Sequence, residues 1–226
     1  FSSFSLISNS TKLLNKIMQL TIPLKNIAKI RCGTSKTGFS KKIVSKKTYQ
    51  NLPISAMKNY IPILNSSDIG KYTFNEYKYI PITEFSCNSL NSFKDNRKLF
   101  MARMTLQVRV VANDENVSCG KVNVIYDISH EVNHLFLLGV LNSRLITYYY
   151  TEKHKNSHLS GGFLSFDTVT VGEIPIKLDS KYYTKISDLV LTAMINNNED
   201  VLKKIDNLVY DLYDLTPEEI SLIESK

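Results

Sequence analysis

Apolar residues recur at intervals of three and four near both ends of the chain, whereas the middle alternates between apolar and polar positions. The helical interval predicts helices over residues 9–20 and across the tail, 180–226. In the tail, Thr216 is followed by Pro217 and then by Glu219, which is the signature of a capping box at a helix start. Both ends of the chain are therefore predicted to be helical.

Segments with strand character fill the middle of the chain. Residues 97–111 alternate from about Phe100 onward, and a hairpin-like turn at 113–116 leads to a second strand-like run at 121–128. The apolar run 136–150 is long enough to be a buried helix. Further extended segments lie at 22–30, 61–72 (a short strand and then a turn), 77–82 and 163–176. Strands joined by turns and flanked by helices predict an α+β fold, with a twisted, largely antiparallel sheet, packed helices and a helical C-terminal tail.

Composition indicates an ordinary globular domain. Hydrophobic residues make up 43% of the 226 residues, and a chain of this length buries enough surface to fold without disulfide bonds or bound metal ions. Cys32, Cys87 and Cys119 form no Cys-x-x-Cys pair, which argues against a disulfide framework or a zinc ribbon and fits a reducing cytosol. No run reaches the roughly 20 apolar residues of a membrane span, so we expect no membrane partner. The apolar start, which lacks Met and a basic region, predicts a cut from a longer chain.

Charge is distributed unevenly along the chain. Residues 1–67 contain eleven Lys and Arg and no acidic residue, and the first carboxylate is Asp68. Residues 178–226 reverse this balance, with five bases and ten acids. A field of one sign over the first third would attract a polyanion, and nucleic acid is the commonest one. The alternative explanation is a lysine-rich surface in the product of an AT-rich genome.

One pattern resembles a metal site. His130, Glu131 and His134 form His-Glu-x-x-His, and on a helix the two histidines could bind zinc while the glutamate activates water. The pattern follows a strand-like segment at a helix start, and a third ligand would have to come from a loop, as Glu152 or His154. We therefore expect surface histidines at a helix N-terminus and keep a zinc metallopeptidase as the alternative.

Other catalytic signatures are missing from the sequence. The segment GTSKTGFS (33–40) has Phe39 where a P-loop needs Lys, so it lacks the clamp for the β- and γ-phosphates. All six prolines are isolated, which excludes the Pro-Pro-aromatic motif of amino-methyltransferases. Neither Gly-x-Gly-x-x-Gly after a strand nor Gly-x-Ser-x-Gly occurs. The sequence predicts no catalytic residue and no metal site in this chain.

Several segments are familiar in their order along the chain. They are IAKIRCGTSKTGF (27–39), YIPILNSSDIGKYTF (60–74), RKLFMARM (97–104), FLLGVLNSRLITYYY (136–150), GEIPIK (172–177) and IDNLVYDLYDLTPEEISLIE (205–224). This series resembles the C-terminal target-recognition (specificity) domain of TaqI-like and Eco57I-like adenine-specific DNA methyltransferases and of fused type II restriction–modification enzymes. The resemblance covers roughly residues 10–224.

The resemblance implies a recognition domain that grips double-stranded DNA opposite a catalytic methyltransferase domain of the same parent chain. That domain would bind S-adenosylmethionine and flip the adenine, so this chain would hold no cofactor. The parent would be a site-specific adenine-N6 DNA methyltransferase, with or without a fused endonuclease, in the cytoplasm of a bacterium or archaeon. We expect a linker helix over 1–20, the recognition domain over 21–178 and a packed helical tail over 179–226. The alternative is the specificity subunit of a multi-subunit restriction system, whose long coiled-coil spacers would exceed the helical region 186–212.

Side chains suited to DNA contact occur in three stretches. Phosphate contacts set register and salt-sensitive affinity, whereas Arg and Lys suit the edge of guanine and Asn suits that of adenine. On the basic N-terminal segment we predict backbone contacts by Lys36, Thr37, Lys41 and Lys42. We predict base or groove contacts by Arg97, Arg103, Lys153, His154, Lys155 and Asn156.

Overall fold

The computed structural model describes residues 3–19, 21–33, 38–85, 94–113, 118–119, 121–155 and 160–226. The helices in these ranges are α1 (Ser3–Met18), α2 (Lys46–Gln50), α3 (Ile54–Met57), α4 (His134–Asn142), α5 (Arg144–Lys153), α6 (Thr168–Gly172), α7 (Ser180–Ile195), α8 (Glu199–Leu212) and α9 (Pro217–Glu224). The strands are β1 (Ile22–Pro23), β2 (Lys29–Cys32), β3 (Tyr60–Leu64), β4 (Lys78–Pro81), β5 (Leu99–Ala102), β6 (Met104–Thr105), β7 (Val110–Ala112), β8 (Ser118–Cys119), β9 (Val122–Tyr126), β10 (Leu164–Ser165) and β11 (Pro175–Ile176). Helices packed on mostly antiparallel strands confirm the predicted α+β class. In the described ranges the strands form several small sheets instead of one.

A four-stranded antiparallel sheet, in the order β2-β9-β5-β7, separates two hydrophobic clusters. Successive side chains of a strand point to opposite faces of its sheet, so neighbouring residues enter different clusters. Leu99 and Met101 lie in the larger cluster, whereas Phe100 and Ala102 lie in the smaller one. Because both faces are covered, β5 is buried at every position.

Helices cover the larger face of this sheet. Side chains of α1, α4, α5, α7, α8 and α9 all enter the larger cluster. The helices α4 and α7 approach closely at Gly139, where an added Cβ would lie 2.4 Å from Ile186 Cγ2 and 3.0 Å from Val190 Cγ2. A glycine is therefore required there by the neighbouring helix and not by its own backbone conformation.

The smaller face is covered by residues 38–85 together with β8, which we call the small lobe. Its sheet has the order β4-β3-β8, in which β3 and β4 are antiparallel and β3 and β8 are parallel. Phe39 and Phe85 pack edge to face, with ring centroids 5.9 Å apart, inside the smaller cluster. Tyr49 of α2 stacks on Tyr79 of β4 at 3.7 Å, which fixes α2 on the lobe.

A short two-stranded ribbon, β6–β10, projects from the end of β5. Leu164 pairs with Thr105 and Ser165 with Met104. The backbone N–H of Phe166 donates to the carbonyl oxygen of Arg103 at 2.8 Å, and Tyr150 Oη donates to the Ser165 carbonyl oxygen at 2.8 Å. The ribbon is thus tied to both the sheet and α5.

Several predicted elements differ in the structure, and in two of them a polar side chain starts a helix inside the predicted segment. The single helix predicted over 136–150 is two helices, because Ser143 caps the second by accepting from the backbone N–H of Ile146. The strand predicted over 163–176 contains a helix in its middle, because Asp167 accepts from the N–H groups of Val169 and Thr170. Short polar side chains at both positions offer the backbone a helix start that apolar spacing does not reveal.

The helical ends of the chain are confirmed. The N-terminal helix spans Ser3–Met18. The capping box of α9 forms as predicted: the Thr216 hydroxyl accepts from the backbone N–H of Glu219, and the Glu219 carboxylate accepts from the backbone N–H of Thr216. The division into a linker helix, a recognition domain and a tail stays a prediction. In the part of the chain that the structure describes, no helix has both the length and the apolarity needed to cross a bilayer.

Candidate nucleic-acid interface

Four lysines of the small lobe are exposed and have no carboxylate partner among the described residues. They are Lys41, Lys46, Lys47 and Lys58. Ser45 starts α2 by accepting from the Thr48 N–H at 3.1 Å, which places two of these lysines in the first helical turn. The lobe therefore carries a positive surface that is not neutralised within the described chain.

The residues predicted to contact the DNA backbone differ in how available they are for that contact. Lys41 belongs to the exposed set, in the single turn Phe39–Lys42. Lys42 Nζ lies 2.6 Å from Glu84 Oε1, and that ion pair reduces its availability to a phosphate. Lys36 and Thr37 lie outside the described residues.

Several cations of the helical layer, in contrast, are paired with acids. Lys16 contacts Glu219 at 2.6 Å, and the other pairs are Lys177 with Asp214, Lys226 with Glu152, and Arg144 with Asp206. The hydrogen bond and charge of Lys177 lower the pKa of Asp214, whereas burial raises the pKa of Asp206. The acidic tail thus neutralises the helical layer and leaves the positive excess on the small lobe.

Arg103 lies at one end of the four-stranded sheet. Its backbone N–H donates to Ser66 Oγ at 3.0 Å, and its guanidinium Nη1 donates to Cys32 Sγ at 3.1 Å. Its buried Nε has no hydrogen-bond partner among the described residues. Ser66 Oγ donates in turn to the carbonyl oxygen of Lys121, whose side chain is exposed. This edge therefore holds a positioned guanidinium that meets no oxygen acceptor in the described chain.

Arg97 lies at the opposite end of β5 and is engaged within the domain. Its guanidinium donates to the carbonyl oxygens of Ile128, Ser129 and Val132 and lies 3.3 Å from His130 Nδ1. A base contact by Arg97 would require these hydrogen bonds to be broken. The strand β5 (Leu99–Ala102) lies between the two arginines, so the structure does not bring them together.

Of the predicted residues after position 150, Lys153, His154 and Lys155 are described and lie at the end of α5, beside α1. Lys153 Nζ is exposed and 3.9 Å from Met18 Sδ, and the ring of His154 packs on Tyr150 at 4.4 Å between centroids. Lys155 is exposed and borders a cavity of about 280 Å³ shared with α1 and α9. Asn156 lies outside the described residues. DNA contact by these residues stays a prediction.

The His-Glu-x-x-His pattern does not lie on a helix. The helix α4 begins at His134, and Asn133 caps it by accepting from the N–H groups of Leu135 and Phe136. His130 and Glu131 precede it in a turn, so the two histidines do not share a helical face. Within the described ranges, no three His, Cys, Asp or Glu side chains are grouped closely enough to hold a metal ion. The geometric basis of the zinc-peptidase alternative is therefore missing.

Sequence reasoning overlooked some residues that the structure makes candidates. Lys46, Lys47 and Lys58 belong to the acid-free first third of the chain, which was the signal for them. Arg109 and Lys121 were overlooked because their places beside the ribbon and the sheet edge depend on strand pairing.

The fold and the charges define an α+β binding domain with a positive lobe suited to a polyanion. Residues 61–176 match the family model of the TaqI-like C-terminal specificity domain, which is more than half of the chain. The chain belongs to the TaqI-like C-terminal specificity domain family, and specificity domains of this family occur in restriction–modification enzymes.

Two known proteins are similar to this chain. A protein of Methanocaldococcus jannaschii, named as a type II restriction enzyme and methyltransferase, is 28% identical over 179 residues, which are 71% of this chain and 15% of that protein. The crystal structure of the type IIG restriction endonuclease BpuSI matches 94% of this chain and 34% of its own, with a TM-score of 0.57 and 14% identity. The second likeness shows the fold alone. This chain spans well under two thirds of either protein.

Proposed function

We propose that this chain recognises a specific sequence of double-stranded DNA on behalf of a restriction–modification adenine methyltransferase. Membership in the specificity-domain family carries this proposal. The charge distribution supports it physically, because lysines without a carboxylate partner among the described residues can neutralise phosphates and release counterions on binding. DNA is thus the ligand that agrees with both the family and the small lobe.

In this proposal the domain makes two kinds of contact with DNA, one to phosphates and one to base edges. The exposed lysines of the small lobe bind phosphates and fix the position of the domain without selecting a sequence. Arg103 donates to base edges, for which its planar guanidinium suits guanine O6 and N7. The hydrogen bonds of its backbone N–H to Ser66 and of its guanidinium to Cys32 hold Arg103 in place, and its buried Nε has no partner among the described residues.

The chemistry belongs to a methyltransferase domain of the parent protein. The Methanocaldococcus relative is named as both a restriction enzyme and a methyltransferase and is several times longer than the matched part, which supports this division. In our proposal that domain binds S-adenosylmethionine and flips the target adenine, while this chain holds the surrounding duplex.

A selection from a pool of randomised duplexes, followed by titration at two salt concentrations, tests the proposal. We expect one enriched sequence and affinity that falls steeply as salt rises. Replacing both Lys46 and Lys47 by Ala should weaken binding to all sequences alike and reduce the log–log salt slope by about 1 per lost contact. Lys185→Ala, at an exposed lysine of α7, is the matched control and should leave the slope unchanged. Salt-independent binding, or no enriched sequence, would contradict the proposal.

A further inference from the structure

The β6–β10 ribbon exposes large apolar side chains to solvent. Met104 is 56% exposed, Leu106 is 57% exposed and Phe163 is 41% exposed. Contiguous apolar surface of this kind on a folded domain usually marks a binding site. The other side of the ribbon is ordinary core, because Thr105 and Leu164 are buried.

Exposure places these three side chains on the solvent side of the ribbon. Met104 pairs with Ser165 and Thr105 with Leu164, and Leu106 and Phe163 lie one residue beyond these pairs. Residues two apart in a strand share a face, which puts Met104 beside Leu106. Leu106 also reaches Gly162, whose added Cβ would lie 4.0 Å from Leu106 Cδ2. We call Met104, Leu106 and Phe163 the ribbon face.

The charges around the ribbon face are complementary to a polyanion. Arg103 directly precedes β6, and Arg109 lines the same surface groove as Leu106. Among the described residues, neither guanidinium forms an ion pair with a carboxylate. Two acids also line the groove, Glu152 and Glu224, and the first is paired with Lys226. Apolar side chains bordered by arginines that have no carboxylate partner among the described residues suit DNA, which presents apolar base faces beside anionic phosphates.

We propose that the ribbon face is a wedge that packs against the faces of DNA bases at a step which it partly unstacks. This inference rests on the proposed function and adds the element that deforms the duplex. Base edges and phosphates are polar, whereas the stacking faces of base pairs are apolar and become accessible only when a step opens. Met, Leu and Phe are side-chain types that proteins insert at such steps. The anchoring of the ribbon to Arg103 and Tyr150 lets it resist the force of unstacking.

The test uses the full 226-residue chain and the sequence obtained from the randomised duplex pool. The probe is that duplex with 2-aminopurine placed at each adenine position in turn, because this base fluoresces more strongly when it is unstacked. We expect binding to raise the fluorescence at one step. Leu106→Ala and Phe163→Ala should abolish the rise and weaken binding to the selected site roughly 10-fold, because apolar contact area is lost. Their salt slope should stay unchanged, since no phosphate contact is removed.

Ile195→Ala, at a side chain 90% exposed at the end of α7, is the matched control and should behave like the unmodified protein. Thermal melting checks that all variants fold. A wild-type chain that binds DNA without any rise in fluorescence would overturn the wedge and leave DNA recognition standing. So would variants that retain the full rise. Failure to bind duplex DNA at low salt would overturn both proposals.

Discussion

At the scale of single residues, the two arginines that flank β5 differ because of their surroundings. Arg97 has three backbone carbonyl oxygens within reach and holds the loop before α4. Arg103 has a sulfur acceptor and a buried Nε without a described partner. A guanidinium with unused donors can bind a ligand at little internal cost, whereas a saturated one stabilises the fold. The two residues should therefore respond differently to the same substitution.

We expect Arg103→Ala to weaken binding to the selected DNA site by about 1–3 kcal/mol and to affect other sequences less. Arg103→Lys should recover little, because an ammonium cannot form two parallel hydrogen bonds to one base. Competition titrations with selected and scrambled duplexes measure both effects. Arg97→Lys is the control, and it should lower the thermal melting temperature without changing sequence preference. An equal loss on both duplexes for Arg103→Ala would assign this residue to phosphate contact.

Asp167 provides a second test at the residue scale, on stability. Burial raises the pKa of Asp167, but hydrogen bonds from Thr170 and Val169 outweigh it and hold the pKa below the ordinary 3.8. A lowered folded-state pKa gives stabilisation that is present above pH 3.8 and lost as pH falls through the lowered value. Asp167→Ala should therefore cost about 1 kcal/mol near neutral pH, and the gap should narrow in acid.

Chemical denaturation of the wild type and Asp167→Ala at several pH values measures this gap. Asp167→Asn is the matched variant, because asparagine also caps helices but carries no charge. It should retain most of the stability at neutral pH and show a weaker pH dependence. A gap that widens in acid would show that folding raises the pKa of Asp167 instead of lowering it.

At the scale of elements, the contact between α4 and α7 depends on a missing side chain. Gly139 lies opposite Ile186 and Val190, and these helices and the sheet enclose the larger cluster. A glycine inside a helix normally lowers the stability of that helix. Close packing between the two helices must therefore offset this cost at Gly139. The sequence shows this glycine inside an apolar run but not the partner that makes it necessary.

Gly139→Ala should therefore destabilise the protein by about 1–3 kcal/mol, although alanine is the better helix former. The added methyl group meets Ile186 in a packed core and forces one helix to shift. Urea denaturation followed by circular dichroism gives the free energy of unfolding. In an Ile186→Ala background the further loss caused by Gly139→Ala should be smaller, because alanine lacks the Cγ2 methyl group at this contact. Stabilisation by Gly139→Ala alone would show that the helices are further apart than in the structure.

At the scale of the whole molecule, charge separates into a neutralised helical layer and a positive small lobe. Long-range ion pairs such as Lys16 with Glu219 join the first helix to the last. The exposed lysines Lys41, Lys46, Lys47 and Lys58 of the small lobe have no such acids in the described chain. The lysines that we propose to contact phosphates thus lie on the small lobe, whereas the long-range ion pairs lie in the helical layer.

We expect the 226-residue chain alone to bind no S-adenosylmethionine and to transfer no methyl group. The sequence lacks both the nucleotide-type glycine motif and the Pro-Pro-aromatic motif, which are needed to hold the cofactor and the adenine. Isothermal titration calorimetry with S-adenosylmethionine measures this, and DNA binding by the same preparation shows that the protein is folded. Tight cofactor binding would place part of the catalytic centre in this chain.

The sequence by itself determined the fold class, the helical ends and the family. Helical spacing and the capping box of Thr216 are local signals, so they could be recognised without the fold. The acid-free first third likewise pointed to a polyanion before any strand was paired. The order of six segments supplied the family, which the match over 61–176 confirmed.

Only the tertiary structure decided which of the predicted contact residues have free donors. Apolar spacing did not show that Ser143 divides 136–150 or that Asp167 starts a helix, because capping competes with the pattern that surrounds it. The fold gave the Arg97 guanidinium three carbonyl acceptors and the Arg103 guanidinium a sulfur, and the pairing of β6 with β10 brought Phe163 to the side of the ribbon that exposes Met104 and Leu106. These arrangements join residues far apart in the chain, and such pairings follow from packing of the whole domain, which no local pattern encodes.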